Sequence, residues 1–387
     1  VTLRRPIVRA RWAVAAVFVV HGVLFASWTA HIPQVKNHIG LDNRELGVAL
    51  VGAPIGSALA ILAAASLLHR FGSPAVMRVA LLGYCASGPL VGLAGSLAAL
   101  LGALALWGAF MGLLDISMNT QAVSVERLLS RQLMTGLHGS WSIGSFAGAG
   151  LGALGVAIGL SLSVQLVVLG IAGVLVGIAV SSGLVADPPP LVAADQDVPV
   201  HRFSRAVVVL GLIAAASMLA EGAAADWAAV YLKGTAHASA AIAGLGYAVF
   251  ALAMVVVRFA GHRLLETYSA RRLLPALAVF AIVGFGAGLL TGRVVVAMVG
   301  FATLGIGLGL VVPAVFSACG RLTGISAGTA IATASGFGWL GFLLGPPLIG
   351  QLAGVSSLPV ALGLVPVLLL AIAASTATNR AMDVPRT

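Results

Sequence analysis

Charged side chains are scarce in this sequence. Only 8% of its 387 residues are Asp, Glu, Lys or Arg, where a soluble domain carries roughly 25%. With 60% hydrophobic residues beside them, the chain has too much apolar surface for a water-soluble fold to hide. Cysteine is nearly absent as well. Cys85 and Cys319 stand alone, one in each half, which excludes a disulfide framework and a cysteine metal motif and leaves them as small core residues. There is no P-loop, so no direct ATP drive, and no H-E-x-x-H or convincing G-x-S-x-G elbow. The longest polar stretch, 186–204, cannot host a soluble catalytic core. No cofactor and no metal ion are expected, and the chain does not read as an enzyme.

What the sequence does contain is apolar runs of transmembrane length. About 20 such residues cross a bilayer as a helix, and here the runs recur from end to end. Barrel strands are short and alternate apolar with polar, so an all-α polytopic membrane protein is expected. Windows of about 19 residues place twelve helices near 12–32, 45–67, 76–95, 98–120, 134–158, 163–185, 206–231, 240–262, 273–291, 294–318, 325–352 and 357–378. The first run has no clear cleavage site after it and reads as a retained helix.

Charge placement orients these helices. Arg70, Arg78, Arg127, Arg263, Arg271, Arg272 and Arg321 fall on the side of the N-terminus, and Lys36, Arg44, Lys233 and Arg293 on the other. By the positive-inside rule both termini are cytoplasmic. The formal charge of +10 therefore sets topology and meets lipid headgroups. Without an aromatic-interleaved basic patch it implies no nucleic-acid partner.

Residues 186–204, ADPPPLVAADQDVPVHRFS, read as a linker between an N-terminal six-helix bundle, 1–185, and a C-terminal one, 205–387. The halves echo each other. SWTAHIPQVKNHIGLDNRELG (27–47) aligns with DWAAVYLKGTAHASAAIAGLG (226–246), matching Trp28 to Trp227 and the closing Leu-Gly. Gly144-x-x-x-Gly148 aligns with Gly341-x-x-x-Gly345, which Pro346 follows, and 67–77 with 264–274. Glycine pairs at this spacing let helices approach closely.

Twelve helices as two pseudo-symmetric sixes, with SWTAHIPQVK, MNTQAVSVER (118–127), EGAAADWAAVYL and SGFGWLGFLLGPPLIG (335–350), resemble the major facilitator superfamily. Within it the chain is similar to bacterial permeases distantly related to proton-coupled sugar symporters such as the fucose permeases. The family's loop between helices two and three resembles G-x-L-a-D-R-x-G-R. Here Arg70 and Gly72 are kept while His69 replaces the acid, which puts the clamp that this loop makes in doubt. The resemblance implies a secondary transporter working by alternating access, its cavity lined by helices one, four, seven and ten. It implies a multi-pass protein of the cytoplasmic membrane that works as a monomer. Its partners would be a small-molecule substrate, protons and membrane lipid. Uptake of a sugar-like or other polar metabolite follows from the branch; proton-coupled efflux of a drug or metabolite is the alternative. A non-transporting membrane sensor or enzyme would need its polar groups clustered at one depth, and here they are spread.

Ionisable groups inside a span are costly, by about 2.5–3.5 kcal/mol, and are functional candidates by default. Glu221 lies about 5 Å past the middle of helix seven and is the first proton-coupling candidate. His21, near the centre of helix one, and Asp115, on helix four, are the others. Asn119 shares a face with Asp115 at i, i+4. Both could touch substrate, or Asp115 could pack with Arg127. Asp226 is about 140° of helix rotation from Glu221 and nearer the outer mouth, where it could meet substrate or pair with Lys233. Trp227 and Tyr231 share a face and could stack on a solute or form an interface belt, and Trp28 is a further cavity candidate. Arg258 is expected to snorkel from the end of helix eight.

Overall fold

The structure is a computed structural model, and it describes residues 4–129, 133–187, 204–322, 325 and 327–382. Most of the expected linker, 188–203, lies outside the described residues. Every regular element among them is helical. Lipid offers no partner for peptide N–H and C=O groups, so each spanning segment must satisfy its backbone within itself.

The first unit contains α1 (Arg4–Thr29), the short α2 (Ile32–Ile39) and α3 (Asn43–Leu50), α4 (Gly52–Gly92), α5 (Leu97–Leu129), α6 (Met134–Ala157) and α7 (Leu162–Val180). The second contains α8 (Arg205–Gly234), most of α10 (Gly246–Thr267), α11 (Ala270–Thr291), α12 (Val294–Leu308), α13 (Val311–Cys319), α14 (Ala327–Val355), α15 (Leu358–Leu362) and α16 (Leu364–Thr378). The short α9 (Ala240–Gly244) and the chain up to Ala248 cluster with the first unit.

Ten described helices are long and apolar enough to cross a membrane. One of these spans, Asn43–Gly92, is 50 residues long and crosses twice, because the helix breaks at Gly72 (φ 74°, ψ 156°). The 24-residue α6 is also long enough for a crossing, in keeping with the twelve expected. The apolar faces confirm the solvent: Leu62, Leu175, Phe259, Val283 and Leu370 are large exposed hydrophobics on five different helices.

Two local features differ from the sequence expectation. The segment after α1 is helical, because Asp42 and Glu45 form a reciprocal capping box at the start of α3. Helix ten is split at Gly309 and Leu310 into α12 and α13. Pro313 causes the split: it has no N–H for the carbonyl four residues back, that of Gly309. Conversely α14 runs unbroken through Gly345, Pro346 and Pro347.

The two units repeat one packing plan. In the first, α1 packs on α6 and α7, and α4 on α5 and α7. In the second, α8 packs on α14 and α16, and α11 on α12 and α16. The glycine pairs sit at the equivalent contacts. A Cβ on Gly144 or Gly148 would collide with the Val19 or Val23 carbonyl of α1, and one on Gly341 with the Ala215 carbonyl of α8. A Cβ on Gly345 would have more room, at 3.5 Å from the Leu219 side chain. We predict that Gly148→Ala, which overpacks this contact, lowers thermal stability in detergent by about 1–3 kcal/mol. Gly150→Ala, on the same helix with no atom within 4 Å, leaves stability unchanged or raises it.

Candidate functional site

In the first unit, α1, α4, α5 and α6 gather polar and aromatic side chains around His21. The residue is 6% exposed. Trp141 on α6 donates its indole N–H to His21 Nδ1 at 2.7 Å. Tyr84 stacks on the other side, with ring centroids 5.3 Å apart at 23°. Tyr84 in turn stacks on Trp107 at 5.1 Å, whose indole N–H donates to the Tyr84 carbonyl at 3.1 Å. Phe25, one turn along α1, lies 6.1 Å from the Trp141 ring. Both Phe25 and Trp141 keep part of their surface open.

Asp115 and Asn119 share one face of α5, as their spacing implies. The Asn119 amide donates to the Asp115 carbonyl at 2.8 Å and to its carboxyl at 3.2 Å. Arg127, the other partner considered for Asp115, lies about three turns further along α5. Glu126, beside Arg127, instead accepts from the backbone N–H groups of Leu133 and Met134, at 2.9 and 3.1 Å, and so ties the end of α5 to the start of α6.

The second unit places Glu221 half-buried on α8, within electrostatic reach of Arg258 on α10. Arg258 stands in the middle of its helix and does not snorkel from its end. Its Nε donates to the Gly309 carbonyl at 3.2 Å, the acceptor that Pro313 leaves free. The sequence signal for this contact was a proline four residues after a glycine inside an apolar run. Asp226 is half-buried further along α8, while Lys233, its expected partner, reaches the Ala238 carbonyl at 3.5 Å.

The aromatic candidates are core residues and not an interface belt. Trp28 and Trp227, aligned in the repeat, are 3% and 0% exposed. Tyr231 is equally buried and donates its hydroxyl to the Gly288 carbonyl at 2.9 Å, near the end of α11. That bond occupies the group that would otherwise meet a solute.

The loop that holds Arg70 and Gly72 is tied down by an unforeseen residue. Arg70 is exposed, its guanidinium 5.2 Å from the Phe71 ring. Gly72 turns the chain with positive φ, a conformation that suits glycine. Helix geometry resumes at Ser73, followed by Pro74. Asp187, seven residues beyond α7, receives the Ser73 N–H at 2.6 Å and bonds the Ser73 hydroxyl. Gln121 donates to the Ser73 hydroxyl and to the Val185 carbonyl, each at 2.7 Å, and accepts from Val185 N–H. Ser124 also donates to Asp187 at 3.3 Å. A carboxylate from the far end of the same unit thus caps this loop. Gln121, two residues beyond Asn119 on α5, is used in this clamp. The Gly-Ser-Pro run marks a new helix start in the sequence, but its acceptor lies 114 residues away and has no local signature.

On the opposite face, beyond the spans, His31 donates from Nε2 to Gln165 Oε1 at 2.9 Å. Gln165 donates onward to the Ser27 carbonyl at 3.4 Å. Burial holds the His31 imidazole below its usual 6.5, and the Gln165 bond opposes that in part. Between the folded and unfolded values the unfolded chain binds the extra proton, so stability falls as pH drops below 6.5.

Two predictions follow from these networks. Asp187→Ala removes the cap on Ser73 and lowers thermal stability by about 0.5–2 kcal/mol, with Asp187→Asn intermediate, measured by melting in detergent. His31→Gln flattens the loss of melting temperature between neutral and mildly acidic pH relative to the wild type.

Comparison with known proteins agrees with this architecture. The family model described as Major Facilitator Superfamily matches residues 13–346. An MFS-type transporter of Yersinia pestis is 33% identical over 359 residues, 92% of this chain and 92% of that one. Among solved structures, the nucleoside transporter NupG superposes with a TM-score of 0.75 at 11% identity, covering 95% of this chain and 98% of its own. A bacterial homologue of the human lysosomal transporter Spinster gives the same score at 15% identity, over 95% of both chains. These structures share the fold, and the family model and the Yersinia relative carry the assignment: this chain is a membrane transporter of the major facilitator superfamily.

Proposed function

We propose that the chain is a proton-coupled secondary transporter of the cytoplasmic membrane that imports a small, sugar-like or otherwise polar metabolite by alternating access. It is read as a monomer with both termini and the linker 186–204 in the cytoplasm. The observation that carries this reading is Glu221, a carboxyl group inside a membrane-spanning helix within reach of the Arg258 guanidinium. A proton on Glu221 removes its attraction for Arg258, whose Nε also donates to the Gly309 carbonyl. Protonation then biases the broken α12–α13 helix, which is the differential interaction a coupled conformational change requires. Asp115 is the second candidate for proton exchange.

The solute side of the reading rests on the first unit. Asp115 and Asn119 offer acceptors and a donor, and Phe25 and Trp141 offer open aromatic surface. Together they suit a ring-shaped solute with hydroxyl groups on its edge and C–H groups on its faces.

Purified protein in liposomes loaded with a pH-sensitive dye, challenged with sugars, organic acids, amino acids and cationic drugs, tests the proposal. Wild type is expected to move protons inward with one class of solute. Glu221→Gln is expected to lose that proton flux while keeping solute counterflow. Proton flux unchanged in the variant would sink the role of Glu221, and flux of opposite sign would make the protein an exporter.

A further inference from the structure

The bond between Trp141 and His21 carries more than packing. An indole nitrogen can only donate. Its 2.7 Å contact therefore requires a lone pair on His21 Nδ1. A ring turned by 180° would set a C–H against the indole N–H and leave that donor unsatisfied. A neutral imidazole has one N–H, so with Nδ1 bare the hydrogen sits on Nε2. That nitrogen is buried without a hydrogen bond, although the Met111 carbonyl of α5 approaches the ring. Stacking on Tyr84, itself stacked on Trp107, hinders rotation of the imidazole.

A second proton would have to go to Nδ1, where it would face the indole N–H head-on. Proton uptake at His21 and the bond from α6 to α1 thus exclude each other. Among the described residues, these titratable groups stand around this position. From α4 come Tyr84 and, beside Val20 across Gly173 of α7, Cys85. From α6 comes His138, edge-on to Phe18. From α5 comes Asp115, one turn beyond Met111 and bonded to Asn119.

We propose that Trp141 is a positioning residue that holds His21 as the neutral Nε2–H tautomer. His21 then contributes a hydrogen-bond donor and takes no part in carrying protons. This narrows the coupling candidates of the proposed transport reading to the carboxyl groups, although the tautomer itself does not depend on that reading.

The test is nitrogen-15 magnetic resonance on the full chain in lipid bilayers, with histidine rings and tryptophan indoles labelled. Magnetisation transfer from an indole N–H identifies His21 without any substitution. The expected spectrum has a bare Nδ1 and a protonated Nε2, unchanged across about pH 5 to 8. A doubly protonated ring, or a hydrogen on Nδ1, anywhere in that range overturns the proposal. In Trp141→Phe, the His21 signal, assigned by its loss in a Trp141→Phe/His21→Asn double variant, is expected to show hydrogen on Nδ1 as well, because no indole N–H then faces that nitrogen; a ring still wholly Nε2–H would show that Trp141 does not set the tautomer. In liposomes, His21→Asn preserves an acceptor for the indole and is expected to keep the wild-type pH dependence of solute-driven proton flux. Loss of proton flux with solute exchange retained in His21→Asn would make His21 a proton carrier and defeat the inference. Loss of flux only in Glu221→Gln leaves it standing.

Discussion

A peptide group in hydrocarbon has no water to bond, and every structural decision in this chain answers to that fact. It makes each crossing a helix, and it makes each break in a helix a problem that a side chain must solve. Two of the breaks inside long apolar segments show how. At Gly72 and Ser73 an N–H is freed, and the Asp187 carboxylate receives it. At Gly309 a carbonyl is freed by Pro313, and the Arg258 guanidinium donates to it. Each unit thus spends one of the chain's few charges on a broken helix, with a sign matched to the group left exposed.

Beyond those breaks the two units differ in what they do with polarity. Their skeletons agree: the same order of helix contacts, and glycines at equivalent close approaches of α1 to α6 and of α8 to α14. Lipid gives little hydrophobic drive for helices to associate, so contact area won through small residues matters more than in water. On this common skeleton the first unit carries an imidazole, a carboxyl–amide pair and a stack of aromatics. The second carries a carboxyl and a guanidinium.

His21 illustrates how tertiary context can reverse a residue's default role. An imidazole in mid-membrane invites a proton-relay reading because its ordinary titration range lies near neutrality. One donor-only neighbour is enough to assign its hydrogen and to make protonation compete with a structural bond. The same logic applies to Tyr231, whose hydroxyl is taken by a carbonyl at the end of α11, and to Gln121, whose amide is used in the Ser73 clamp.

The number of crossings, the division into two similar halves and the family were legible in the sequence, because they depend on runs, repeats and motifs that are local. The glycine pairs were legible for the same reason: a four-residue spacing defines a helix face without reference to its partner. The Asp42–Glu45 capping box and Pro313 were also local signals, and only the strength of the surrounding apolar pattern hid them. What the tertiary structure alone decided is which polar group meets which. Asp187 and Ser73 are 114 residues apart, and Trp141 and His21 are 120 apart. A hydrogen bond is directional over a few tenths of an ångström, whereas periodicity places a side chain only to within a helix face, so such pairings exist only once the helices have packed.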